Sequence, residues 1–183
     1  PTARDEIDFV TISQTGNAVD FGNLTVARKQ LGGTASSPTR GLFMGGATPS
    51  DSDVIDFITI PTTGDAQDFG DLTVARIEPR GVSSSTRACM MSGYAAPANT
   101  NVIDFVTIAT KGNAVDHGDC TTVRRYCGGM SDCVRGVVAA GHNPSATSNI
   151  DYFDISTGGD AVDFGDQSAA AQTSGTSNGH GGL

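Results

Sequence analysis

The sequence predicts an all-β protein built as a propeller of radially stacked four-stranded antiparallel sheets, and three observations carry that prediction. The first is a repeat. Ile7-Asp8-Phe9, Ile55-Asp56-Phe57, Ile103-Asp104-Phe105 and Ile150-Asp151-Tyr152 recur at spacings of 48, 48 and 47 residues, a period in the range of blade-sized units. The register continues downstream: Gly16-Asn17-Ala18-Val19-Asp20-Phe21-Gly22-Asn23 matches Gly64-Asp65-Ala66-Gln67-Asp68-Phe69-Gly70-Asp71 and the segments 112–119 and 159–166. The second is residue usage. Among 183 residues there are 24 Gly and 18 Asp but only 2 Glu and 2 Lys, so good helix formers are scarce. The third lies in the strand 54–60. Ile55 and Phe57 point to one face while Ile58 and Ile60 point to the other, the pattern of a sheet buried on both sides.

Each unit reads as four strands. Val54-Ile55-Asp56-Phe57-Ile58-Thr59-Ile60 is β-branched and aromatic, and Thr62-Thr63-Gly64-Asp65 ends it with a hairpin-turn composition. A second strand spans 66–72. A third, near 81–84, consists mostly of small residues, and a fourth, 88–91, ends at a polar loop. Grouped in that order, the units begin near 7, 55, 103 and 150 and form one domain over residues 1–183. Small residues such as those at 31–37 suit the innermost strands, which converge on the axis and have little room. Aligned without gaps, Leu183 falls opposite Gly136 and Ala88, and Pro1 opposite Pro49. The last blade is therefore expected to lack one strand. Three readings stay open: a fragment of a longer propeller, a four-bladed ring with one thin blade, or an edge completed by another chain through strand addition. An eight-bladed ring of two chains is a further expectation from the integer repeat count.

The unit resembles a kelch-type propeller blade. Phe43-Met44-Gly45-Gly46, the loop to Asp53, Ile55-Asp56-Phe57, the 66–72 strand and Arg76 follow that family's order, and the likeness covers essentially the whole chain. It departs in having no Trp; the Phe21, Phe69, His117, Phe164 column is expected to take the packing place of the blade Trp. The phrasing Ile-Asp-Phe-x-Thr-Ile followed by Gly-Asn/Asp-Ala-x-Asp-Phe-Gly also resembles kelch-like repeats in proteins of marine bacteriophages and related viruses.

Charge and side-chain chemistry narrow the function. A formal net charge of −9 disfavours sequence-independent binding to nucleic acid or anionic lipid, and no run of 18 apolar residues offers a transmembrane helix. The chain opens on Pro1 with no charged-then-apolar leader, so no signal segment is read. Two Asp columns recur, Asp8, Asp56, Asp104, Asp151 and Asp20, Asp68, Asp116, Asp163. Carboxylates around an axis suit hard cations, but repetition favours a structural role as acceptors of backbone N–H bonds at turns. Arg28, Arg76 and Arg124 recur likewise and predict a fixed partner, an Asp of the same or next blade. Arg40, Arg87 and Arg135 end the small-strand turn and are the weak ligand candidates.

No catalytic residue is assigned. His117, His142 and His180 are not paired with a nucleophile. Neither the Tyr and His set of the copper oxidases on some kelch-type folds nor the Trp-ended boxes of sialidases is present. Cys89, Cys120, Cys127 and Cys133 lack zinc spacing; they are expected as thiols, with a Cys127–Cys133 loop bridge allowed by their separation. No cofactor or metal is expected. The loops 47–53, 94–101 and 142–149 differ between units where strands do not, which suits binding rather than turnover. With the viral resemblance, the expectation is a non-enzymatic structural or receptor-binding module of a virion, a phage tail or fibre component, located on the virion or another extracellular surface. Its partners would be other virion proteins or a host receptor or glycan, with self-association through the incomplete blade. A lectin-type propeller and a degenerate propeller enzyme are the alternatives.

Overall fold

The computed structural model describes residues 2–175, and among them there is no helix. β1 (Arg4–Phe9) and β2 (Val19–Arg28) form a two-stranded antiparallel hairpin. A four-stranded sheet follows: β3 (Gly33–Ser36), β4 (Arg40–Met44), β7 (Val54–Thr59) and β8 (Gln67–Asp71), paired in that order, with the small hairpin β5 (Ala47–Thr48) and β6 (Ser50–Asp51) in the loop between β4 and β7. The second sheet repeats the plan with β9 (Arg80–Ser83), β10 (Arg87–Met91), β13 (Val102–Thr107) and β14 (Val115–Asp119), and carries β11 (Tyr94–Ala95) and β12 (Ala98–Asn99) in the equivalent loop. The third contains β15 (Gly128–Ser131), β16 (Arg135–Ala139), β17 (Thr147–Asp154) and β18 (Val162–Ala171).

The phase of the repeat differs from the expected one. Small strands such as β9 and β10 do not join β7 and β8; they open the next sheet. A period is blind to phase, and the connections set it. The loop after β4 returns to the same sheet, whereas the segment after β8 crosses to the next one, anchored by the buried Arg76. Among the described residues, consequently, the two-stranded sheet is the first, and the third has four strands. The segment expected to fall short of a strand, and His180 with it, lies outside the described residues.

The core lies between successive sheets rather than inside any one of them. Leu42, Met44, Ile55 and Phe69 of the first full sheet pack with Ala88, Met90, Val106 and Ile108 of the second. Met91, Ile103 and Cys120 of the second pack with Val138, Phe153 and Ile155 of the third. Ile7, Phe21 and Leu24 of the hairpin meet Ala66. Burial of both sheet faces explains why the strands lack polar alternation. At the inner edges, β3, β9 and β15 lie flank to flank: the Ser36 N–H donates to Ser83 Oγ at 3.4 Å, and Ser131 Oγ–H donates to the Ser83 carbonyl at 3.0 Å. A Cβ at Gly81 would sit 2.4 Å from the Thr34 carbonyl oxygen, which is why small residues fill these strands.

The outer hairpin of each sheet closes on an edge-to-face aromatic pair, with Phe57–Phe69 and Phe105–His117 centroids 5.9 and 5.7 Å apart. Phe21, Phe69 and His117 are buried, but Phe164 is 60% exposed. His117 keeps the column's shape while donating from Nε2 to the Asp154 carbonyl at 3.0 Å. Burial pushes the imidazole below its usual value, with Arg87 reinforcing this, while that hydrogen bond and the Asp154 and Asp116 charges oppose it. A depressed folded pKa means the unfolded chain binds more protons as pH falls below about 6.5. Stability is therefore intact above that pH and declines as pH drops towards the folded value. We expect His117→Phe, the residue of the neighbouring units, to flatten the urea midpoint between about pH 7 and about pH 5.5. An unchanged slope in the variant would assign the pH dependence to other groups.

Candidate functional site

The repeated charged residues meet across sheets. Arg28 at the end of β2 reaches into the next sheet, where Nη2 donates to Asp56 Oδ2 at 2.7 Å and Nη1 to the carbonyls of Val54 (2.6 Å) and Gly45 (3.0 Å). Thr25 Oγ1–H donates to the other Asp56 oxygen at 2.5 Å. Arg76 and Thr73 do the same to Asp104, at 2.6 and 2.5 Å, and Arg124 and Thr121 to Asp151. All six paired ions are buried. Removal from water pushes the Arg28 and Arg76 guanidinium groups down, and the facing Asp56 and Asp104 charges oppose that. These are inter-sheet staples, so the first Asp column works across a junction rather than at its own turn. Asp8, which no described Arg faces, is exposed. The second column behaves as turn acceptors do: Asp20, Asp116 and Asp163 receive the N–H of Gly22, Gly118 and Gly165 at 3.0–3.2 Å, and Asp68 lies exposed at the same register.

Two of the three ligand-candidate arginines are occupied by the same junctions. Arg40 stacks over Phe57 and donates to the Ile108 carbonyl at 2.7 Å. Arg87 stacks over Phe105 and donates to the Ile155 carbonyl at 3.1 Å. Arg135 stacks over Tyr152 but is exposed. A backbone clasp completes each junction: the N–H groups of Gly64 and Ala66 donate to the carbonyls of Phe21 and Asn23 at 2.7 and 2.8 Å, and Asp65 Oδ1 accepts the Asn23 N–H at 2.9 Å. The sequence signal for this clasp, a turn Gly-Asn/Asp-Ala in every unit, was present but carried no visible role.

The variable loops form a single surface. The Ala96 N–H donates to Asp51 Oδ2 at 2.8 Å, joining the first loop to the second. Asn99 Nδ2 donates to the His142 carbonyl at 2.9 Å and to Asn143 Oδ1 at 3.2 Å, joining the second to the third. Beside them, isolated bridges tie Lys29 to Ala47, Ile77 to Tyr94 and Arg125 to His142. Arg125 stacks between the Tyr94 and Tyr126 rings, 5.2 and 5.0 Å from their centroids, and pairs with Glu78 at 3.6 Å. Sequence reasoning placed the loops but missed this Tyr94, Arg125, Tyr126 and Glu78 cluster, since none of the four repeats as a column.

Other candidate chemistry is sparse. A cavity of about 270 Å³ lies between the inner strands, lined by small or apolar residues including Thr34, Ser36, Gly81, Ser83 and Ser131. Cys89, Cys120 and Cys127 are buried thiols and the Cys127–Cys133 bridge is not formed. Burial pushes the Cys89 and Cys120 thiols up to about 12, so neither is a nucleophile near neutral pH. Among the described residues no three His, Cys, Asp or Glu side chains converge as metal ligands.

These features define a class: an all-β repeat protein whose four-stranded antiparallel sheets are joined by repeated buried staples and carry one composite loop surface. No family model matches the chain and no curated protein proves similar to it.

Proposed function

We propose that the chain is a kelch-like β-propeller array serving as a non-enzymatic receptor-binding or structural module of a virion, such as a phage tail or fibre. Supporting the propeller reading, the inner strands β3, β9 and β15 converge on one cavity, and every sheet meets its successor through the same staple. The observation that carries the binding reading is the lateral fusion of the three variable loops, from Asp51 to Asn143, over an otherwise repeated scaffold. Loops braced against each other present a preorganised surface, which lowers the entropic cost of engaging a partner. Tyr94, Tyr126 and Arg125 are the residue types that dominate binding hot spots.

The chain should be detected by mass spectrometry in purified particles, and the recombinant protein should bind host cells saturably. The pair Tyr94→Ala and Arg125→Ala should weaken that binding by about tenfold or more while the circular dichroism spectrum is retained. Absence from particles together with no cell binding would overturn the proposal. Binding competed by a defined glycan would move the assignment to a lectin.

A further inference from the structure

Among the described residues one junction is built three times, and both halves of a fourth lie exposed. At each internal junction, the turn before the outer strand of one sheet docks on the outer strand of the sheet before it. Gly64, Gly112 and Gly159 donate to Phe21, Phe69 and His117 carbonyls at 2.7–2.8 Å, and Ala66, Ala114 and Ala161 to Asn23, Asp71 and Asp119 carbonyls at 2.7–2.8 Å. In return, Asp65, Asn113 and Asp160 side-chain oxygens accept the N–H of residues 23, 71 and 119 at 2.9–3.2 Å. By register, the fourth receiving strand is β18, with Phe164, Gly165 and Asp166 in these places, and the fourth donating turn is Gly16-Asn17-Ala18.

Neither half is covered by any described residue. Phe164 is 60% exposed where its equivalents are 2–7% exposed, and a Cβ at Gly165 would meet nothing within 4 Å, against backbone at 2.4–2.5 Å for Gly22, Gly70 and Gly118. Ile12 is 98% exposed, whereas Ile108 and Ile155, whose carbonyls receive Arg40 and Arg87, are 1–2% exposed. Arg135 is the next arginine of that column and is exposed.

We infer that a second copy of this chain docks head to tail here, its 12–18 turn seated on β18 and its Ile12 carbonyl accepting from Arg135. The contact is face to face, through sheet layers, not the strand addition expected from an incomplete blade. One element of the staple is missing. Ser168 stands where Thr25, Thr73 and Thr121 stand and supplies a hydroxyl to Asp8, but Ala171 occupies the arginine position. The association is therefore reversible and weaker than the internal junctions, and as a heterologous contact it yields rings or filaments.

Sedimentation velocity of the 183-residue chain over a concentration series tests this. Species of dimer mass or larger are expected to grow with concentration. Ala18→Arg and Phe164→Asp each alter a residue exposed within one copy, and each should raise the dissociation constant at least tenfold with the circular dichroism spectrum retained. Ala171→Arg restores the staple to Asp8 and should lower it about tenfold, an effect that Asp8→Ala abolishes. A monomer at every concentration, even with Ala171→Arg, overturns the inference. So does association indifferent to Ala18→Arg and Phe164→Asp.

Discussion

Replacing Arg76 with Met will destabilise the fold by about 3–5 kcal/mol, because removing one partner of a buried pair leaves the other charge uncompensated. For a chain of this size that corresponds to a fall of roughly 6–20 °C in thermal midpoint. Arg76 is fully buried, and without it Asp104 keeps only the Thr73 hydroxyl and N–H, at 2.5 and 3.3 Å, as partners. The Val102 carbonyl, which accepts from Arg76 at 2.8 Å, keeps only the Ser92 N–H, at 3.1 Å. The double variant Arg76→Met with Asp104→Leu separates charge from shape. Removing both ions should recover much of the loss, since apolar replacement of a whole buried pair is often neutral, though not all of it, because Thr73 loses its carboxylate acceptor and the Val102 carbonyl loses one of its two donors. Asp8→Ala is the control: the same column, but exposed, with no midpoint change expected. A single variant as stable as the parent would show that the staple fixes the register of the sheets without stabilising them.

That staple also shows what could be read without coordinates. Arg28, Arg76, Arg124 and Asp56, Asp104, Asp151 stand out as columns because every junction needs the same buried partners, and a contact made once per unit imprints the period on the sequence. The doubly apolar strands were legible for the same reason: Ile55 and Ile103 face one neighbouring sheet and Ile58 the other way. The phase was not. β9 belongs with β10 and β13 only because the crossover falls between Asp71 and Arg80, and the period is identical whichever connection is taken as the boundary. The loop surface was less legible still. Asp51 meets Ala96 and Asn99 meets His142 across more than 40 residues, and contacts between unlike loops leave no column to notice. Arg40 and Arg87 looked available for a ligand because the carbonyls they reach, on Ile108 and Ile155, sit 68 residues downstream, and a backbone acceptor leaves no mark on side-chain identity.

The glycine clasp yields the second large effect, and a matched pair of substitutions isolates its cause. Gly70 and Gly165 occupy the same register and both adopt positive φ, +148° and +132°, where a side chain is strained. A Cβ at Gly70 would lie 2.5 Å from the Gly112 carbonyl carbon and oxygen, while one at Gly165 meets nothing within 4 Å. Within a single copy Gly165→Ala therefore carries the backbone term alone, about 1–3 kcal/mol. Gly70→Ala adds an overlap with main chain that no rotamer relieves, a further 1–3 kcal/mol or so, for roughly 2–6 kcal/mol in all. Relief would require the second sheet to draw away from the first, stretching the Gly112 and Ala114 hydrogen bonds and the buried Arg76–Asp104 pair together. Urea denaturation of both variants reads the difference directly. Equal losses would mean that the sheets slide freely at this contact, and the repeated Gly would then reflect local φ alone; a larger loss at Gly70 makes close backbone approach the reason that a glycine stands there in each unit.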